Sequence, residues 1–295
     1  MWMISGISAG LLLGFYDFWT KKAMIGNTVI PVVFWSSLFG FLLWIPAFIP
    51  VWSSGILPED LLRTDIHQQT LIFVRSLSMT LSWVLAFFAM RELPMSFTGA
   101  VRASGPIWTL IGGAILLQEY LSVLQISFVL VSVLAYYVLS QVGKSEGISV
   151  FRSKPMLVMT FATLLSSLTT VYDKYIIHDL GLSIYSVQAY SSLFRLVISV
   201  AFLCLAITLK RDISVQWSPW IPLVGLSWVI AEYIYFFAVE SADANSTYLS
   251  VFRRMSLIVG FILSVFYFKE RNILLKSLVV GSIILSTIAL IFGYK

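Results

Sequence analysis

Tyr248-Leu249-Ser250-Val251-Phe252-Arg253-Arg254-Met255-Ser256-Leu257-Ile258 sets two arginines inside a long apolar run. A guanidinium does not readily lose its proton, so it cannot escape burial by neutralising. At the centre of a membrane helix such a charge costs roughly 2.5–3.5 kcal/mol on insertion scales. It is expected to face water, a partner or a ligand rather than lipid. A second apolar run, Gly99-Ala100-Val101-Arg102-Ala103-Ser104-Gly105-Pro106, carries one more arginine. Arg102 precedes Glu119 by 17 residues, and Arg253 precedes Glu270 by the same 17. The two stretches read as copies of one pattern.

The chain around them is apolar throughout. Of its 295 residues 59% are hydrophobic and 11% charged, where soluble domains carry about 25% charged residues. The composition is that of an integral membrane protein with no soluble domain. Cys204 is the one cysteine, which excludes a disulfide framework and a cysteine metal cluster. His67 and His178 lie far apart and lack metal-ligand spacing. No metal and no cofactor is expected. The net charge of +5 contains no basic run longer than two residues, so it reads as interfacial lysine and arginine, not as a nucleic-acid surface. Gly-rich phosphate loops, serine elbows and His–Glu metal pairs are absent, so nothing indicates an enzyme. The first apolar segment has no basic region before it and reads as a retained helix, not a signal peptide.

A span needs about 20 mostly apolar residues. Ten such segments are expected, near 2–20, 29–51, 70–90, 95–117, 122–141, 156–177, 184–209, 218–239, 244–268 and 273–293. Gly143, Gly147 and Pro155 mark the mid-chain connection as a linker. Short matches recur in order across that linker. Tyr16-Asp17 matches Tyr172-Asp173, and Ser36-Ser37-Leu38-Phe39 matches Ser191-Ser192-Leu193-Phe194. Phe87-Phe88-Ala89 matches Phe236-Phe237-Ala238, and Arg102 with Glu119 matches Arg253 with Glu270. The offsets stay between 149 and 156, the drift that loop-length changes produce. The division is a first five-helix repeat over 1–142, a linker over 143–155 and a second repeat over 156–295.

Five spans cross a membrane an odd number of times. The second repeat must then enter from the opposite face, which gives inverted-topology repeats with a site at their interface near the midplane. The expected fold class is an all-α polytopic membrane protein, ten transmembrane helices as two inverted five-helix repeats. With a Glu closing the fourth helix of each repeat (Gln118-Glu119-Tyr120-Leu121 and Lys269-Glu270-Arg271-Asn272), the whole chain resembles the EamA-like family of the drug/metabolite transporter superfamily. The resemblance implies a secondary transporter or exporter of small metabolites in a bacterial inner membrane. The Arg253-Arg254 pair is also similar to the basic pair by which the sugar-phosphate branch binds phosphate on its ninth helix. It implies an anion contact there.

The candidate substrate-binding residues are Arg102, Arg253, Arg254, Glu232, Tyr16 and Tyr172. Arg102 and Arg253 would meet a carboxylate or phosphate across the centre. Adjacent helical residues point about 100° apart, so Arg253 and Arg254 cannot share one narrow face. Glu232 is read either as a proton-binding group or as a buried partner of Arg75, Arg195 or Arg254. Asp17 with Lys21, Asp173 with Lys174, and Arg75 and Arg195 are read as gating or structural ion pairs. Trp35, Trp44, Trp83, Trp108 and Trp228 are read either as lining a cavity, which would favour ligands with apolar parts, or, for most of them, as packing or facing lipid. The nearly charge-free fifth and tenth spans are expected outside the site, where a homodimer surface is one use for them.

The expected partners are a small-molecule substrate, the bilayer and a coupling proton or counter-substrate. The leading reading is transport of small anionic or zwitterionic metabolites by alternating access. The alternatives are an exporter of neutral or aromatic compounds with purely structural arginines, and a membrane enzyme or scaffold. The basic residues of the short connections favour both termini outside; the resemblance implies both inside.

Overall fold

The computed structural model describes residues 1–49, 62–93, 98, 101–102, 104–124, 126–127, 129–131, 134, 153–256, 258–260, 262–263, 278, 281–282 and 285. Among the described residues the regular elements are all helical. They are α1 (Trp2–Ala23), α2 (Val29–Leu42), the single turn α3 (Ile45–Phe48), α4 (Ile66–Glu92), α5 (Gly105–Leu116), α6 (Lys154–Lys174), α7 (Ile184–Thr208), α8 (Trp220–Val239) and α9 (Ser246–Arg253). A π-helical turn, Tyr175–Asp179, continues α6. α4, α6 with its π turn, α7 and α8 are long and apolar enough to cross a membrane, and α2 and α5 are shorter apolar helices. Glu270, the linker up to residue 152 and most of the fifth and tenth expected spans lie outside the described residues.

Helix ends follow local chemistry. The second expected span, 29–51, is divided: α2 stops at Leu42, and α3 begins after Trp44. Pro46 has no N–H for the Leu42 carbonyl, and its ring collides with that group, so one continuous helix cannot form. α4 starts earlier than hydropathy suggests. Asp65 accepts from the Gln68 N–H at 2.7 Å, while the Gln68 side chain accepts from the Asp65 N–H at 3.3 Å. That capping box extends the helix to Ile66.

The two arginine-bearing helices break at matching places. The Ser104 N–H donates to the Val101 carbonyl at 3.0 Å, and Ile107 N–H to the Ser104 carbonyl at 3.0 Å. In the second half Met255 N–H donates to Phe252 at 2.9 Å, and Ile258 N–H to Met255 at 3.1 Å. Every partner is shifted by the 151 residues that separate Arg102 from Arg253. Both arginines therefore precede a tightened turn of the i→i+3 kind. Pro106 explains the first break, since it cannot bond to the Arg102 carbonyl. The second has no proline nearby.

α1 lies along α8, α4 along α6, and α2 fills the angle between α7 and α8. One apolar core joins α1, α2, α4, α7 and α8 around Trp83 and Trp228. Another joins α1, α8 and α9 around Phe236, Tyr248 and Phe252. Two crossings need glycine. A Cβ at Gly225 of α8 would lie 2.0 Å from the Ser36 carbonyl oxygen of α2, and one at Gly10 of α1 would lie 2.0 Å from the Phe252 carbonyl oxygen of α9. Backbones this close are a membrane-helix habit, because apolar area gains nothing from leaving lipid and packing must do the work. Serine and threonine hydroxyls inside the helices bond back to the preceding turn, as Thr20 does to Tyr16 and Thr80 to Ser76, each at 2.7 Å.

Candidate functional site

Charge gathers where the helices are most deeply buried. Arg75 of α4 donates from Nε to Asp173 Oδ1 of α6 at 2.6 Å and from Nη2 to Glu232 Oε1 of α8 at 2.7 Å. Its Nη1 reaches Ser191 Oγ of α7 at 3.0 Å. Arg195 of α7 takes the other oxygen of Glu232, Oε2, at 2.8 Å. These four side chains are between 0% and 3% exposed. The aromatic rings of Phe236, 4.8 Å from Arg75, and Trp83, 5.1 Å from Arg195, cover the guanidinium faces. Two cations and two carboxylates balance, so the network can exist in a low-dielectric interior where a lone charge could not. It ties four helices drawn from both halves of the chain.

Arg102 pairs with Asp17 of α1. This pair is less secluded, with side chains 19% and 12% exposed. Lys174 closes α6 by donating to Glu119 Oε1 at 2.5 Å and to the Ala244 carbonyl. Glu119 Oε2 in turn accepts from the Ser246 N–H at 2.9 Å and from the Ser246 hydroxyl. A carboxylate at the first turn of α9 satisfies its unpaired N–H groups and complements the helix dipole. The Glu119 that closes the fourth helix thus fastens the start of the ninth.

Arg253 differs from the other three. It is buried, 8% exposed, and no carboxylate among the described residues lies within ion-pair distance of it. Its Nη1 donates to Thr170 Oγ1 of α6 at 3.3 Å. Its guanidinium sits 4.7 Å from the Tyr235 ring and 5.9 Å from that of Trp228. Hydroxyl and ring contacts shield a cation without neutralising it.

Arg253 lines a cavity together with Arg254, the Arg102–Asp17 pair, Tyr16, Trp83 and Trp228. The three rings form one cluster, with Trp228 5.0 Å from Tyr16 and 4.7 Å from Trp83. The indole N–H groups of Trp83 and Trp228 are buried and have no hydrogen-bond partner among the described residues. Leu13 and Met79 supply apolar wall. A donor-rich, aromatic lining suits an acceptor-rich small molecule with an apolar part.

Most of the residues singled out from the sequence converge here, in roles partly different from those expected. Tyr16, Asp17, Arg102, Arg253 and Arg254 line the cavity. Glu232 is held by Arg75 and Arg195. Arg75 is fully inside the bundle and does not snorkel. Asp173 reaches Arg75, and Lys174 reaches Glu119, where an Asp173–Lys174 gate was expected. Lys21 reaches the carbonyls at the end of α4, Met90 at 2.5 Å and Leu93 at 2.6 Å. Tyr172 leaves the set: its hydroxyl donates to the Leu71 carbonyl at 3.3 Å, away from the chamber.

Thr170 gains a place that the sequence reading did not give it, and Trp83 and Trp228 take the cavity-lining role that was the lesser of the two readings of the tryptophans. The available signal was helical spacing from the buried charges. Arg75, Met79 and Trp83 fall on one face of α4, Trp228, Glu232 and Tyr235 on one face of α8, and Ser166, Thr170 and Asp173 on one face of α6.

Comparison with known proteins agrees with this architecture. The model of the EamA-like transporter family matches residues 1–141. No curated protein matches the chain. A crystal structure of a protein 15% identical to this one superposes with a TM-score of 0.72, covering 98% of this chain and 94% of that one. At that identity the likeness establishes the fold alone. The resemblance first suggested by two Glu-closed helices is borne out by the match over residues 1–141 to the EamA-like transporter family, a member of the drug/metabolite transporter superfamily.

Proposed function

We propose that this integral membrane protein is a secondary transporter of small organic anions or zwitterions, with Arg253 as the principal anion contact. One observation carries the reading. Arg75, Arg102 and Arg195 each hold a carboxylate, while Arg253 faces the chamber with none among the described residues. Removing one partner from a buried ion pair costs about 3–5 kcal/mol. A buried cation that holds no carboxylate among the described residues is favoured to take an anion from a ligand. Trp228, Trp83 and Tyr16 take the ligand's apolar part, and Arg254, on the adjacent helical face, supplies a second donor for phosphorylated ligands.

Alternating access by rocking one five-helix repeat against an inverted second one fits this placement, because the matched helix breaks put Arg102 and Arg253 at equivalent points of the two halves. A bacterial inner-membrane location is the setting the family resemblance implies. The unpartnered indole N–H groups favour a second reading, export of neutral aromatic compounds.

A thermal-shift screen of the purified protein against organic acids, amino acids, phosphorylated metabolites and neutral aromatics separates the two. A ligand that binds the folded state raises the melting temperature by mass action. Stabilisation by anions in the native protein and not in Arg253→Ala is expected. Stabilisation by neutral compounds alone, equal in both proteins, would favour the second reading.

A further inference from the structure

The two halves use equivalent residues differently. In the first, Asp17 holds Arg102. Their counterparts in the second are Asp173, in the repeated Tyr-Asp pair, and Arg253, at the repeated helix break. Those two do not pair: Asp173 is bound to Arg75, which takes it with Nε at 2.6 Å. Yet Arg253 already reaches α6, one helical turn before Asp173, at Thr170. A further small cavity, lined by Leu13, Trp228, Ala231, Glu232, Tyr235 and Arg253, lies between Glu232 of the charge network and Arg253.

We infer that Asp173 is an internal competitor of the substrate for Arg253. It exchanges between Arg75, its partner here, and Arg253, the partner that the first half prescribes by example. With Asp173 on Arg75, Arg253 is open to an anion from the chamber. With Asp173 on Arg253, the second half has the arrangement the first half shows in Asp17–Arg102, and the site is closed. Substrate and Asp173 therefore exclude each other, and Arg75 sets the balance without touching the ligand. Repeats that exchange roles during alternating access provide both arrangements in turn. This inference rests on the reading of Arg253 as the anion contact.

The test is calorimetric binding of benzoate, which combines a carboxylate with a ring, to the full chain in detergent. Arg253→Ala examines the contact itself: binding equal to the native protein, or no benzoate binding by the native protein, overturns the site and the competition with it. Asp173→Asn is expected to tighten benzoate by about tenfold, within the usual range of coupling between sites. Loss of a negative charge would do some of this by field alone, so Arg75→Lys is the sharper variant. It keeps the charge and loses the planar fork that grips Asp173. It is expected to weaken benzoate by about tenfold, because Asp173 moves to Arg253. Arg75→Lys that binds as the native protein does, while Arg253→Ala has lost binding, overturns the competition and leaves the contact standing. Tightening by Glu232→Gln and not by Asp173→Asn overturns it too, since Glu232 lines the same cavity.

Discussion

At the scale of single residues the chain is a set of arginines that a membrane interior should not tolerate, each with a different answer to its charge. Arg75 and Arg195 share Glu232, and that carboxylate is the hinge of the network. Glu232→Gln leaves two buried cations with one carboxylate between them and is expected to cost about 3–5 kcal/mol. Thermal unfolding in detergent checks this; an unchanged melting temperature would mean that water, not Glu232, neutralises the pair. Replacing Arg195 and Glu232 together by Met should cost less than either single change, because no charge is then stranded. The candidate arginines were legible in the sequence, since a charge in an apolar run is conspicuous. Their partners were not. Asp173 sits beside Lys174 in sequence but binds Arg75, 98 residues away, and nothing short of the fold brings them together. Trp228 was equally hidden, one of ten tryptophans until its place one turn before Glu232 is known to face the chamber.

At the scale of elements, hydropathy finds the helices and local chemistry sets their ends. Length and apolar content announce α4, α6, α7 and α8, whereas Pro46 cuts α2 short and the Asp65–Gln68 box lengthens α4. The break after Arg253 carries no proline and could be suspected only from its likeness to the break after Arg102. Two predictions belong to this scale. Gly225→Ala forces a methyl group to 2.0 Å from the Ser36 carbonyl oxygen and must push α2 from α8. A loss of about 1–3 kcal/mol is expected from overpacking of this kind, read as a lower melting temperature; Gly181, with nothing within 4 Å of its Cβ position, gives the contrast in space, though its φ of +66° adds strain of its own. Glu119→Gln removes the carboxylate that fastens α9 and pairs Lys174. Amide exchange in the first turn of α9 should then quicken by about tenfold, corresponding to roughly 1.4 kcal/mol of local stability. Unchanged exchange there would assign the anchoring to Asn245, whose side chain accepts from the Thr247 N–H at 2.9 Å.

At the scale of the whole molecule, a family model matches residues 1–141 and a shared fold extends over nearly the full chain. The duplication expected from ordered short matches has a parallel in the backbone bonds that recur 151 residues apart. What sequence matching alone does not convey is the asymmetry: Arg102 holds a carboxylate, and Arg253 holds none among the described residues. The function proposed here depends on that asymmetry. The most direct measurement is uptake of the labelled anion that most stabilises the native protein, in proteoliposomes holding native, Arg253→Lys or Arg253→Ala chains at equal amounts. The expected result is saturable uptake by the native protein, weakened uptake by Arg253→Lys, and in Arg253→Ala a loss of at least about 100-fold, the equivalent of a stranded contact of roughly 3 kcal/mol. Full uptake by a folded Arg253→Ala protein would contradict the account.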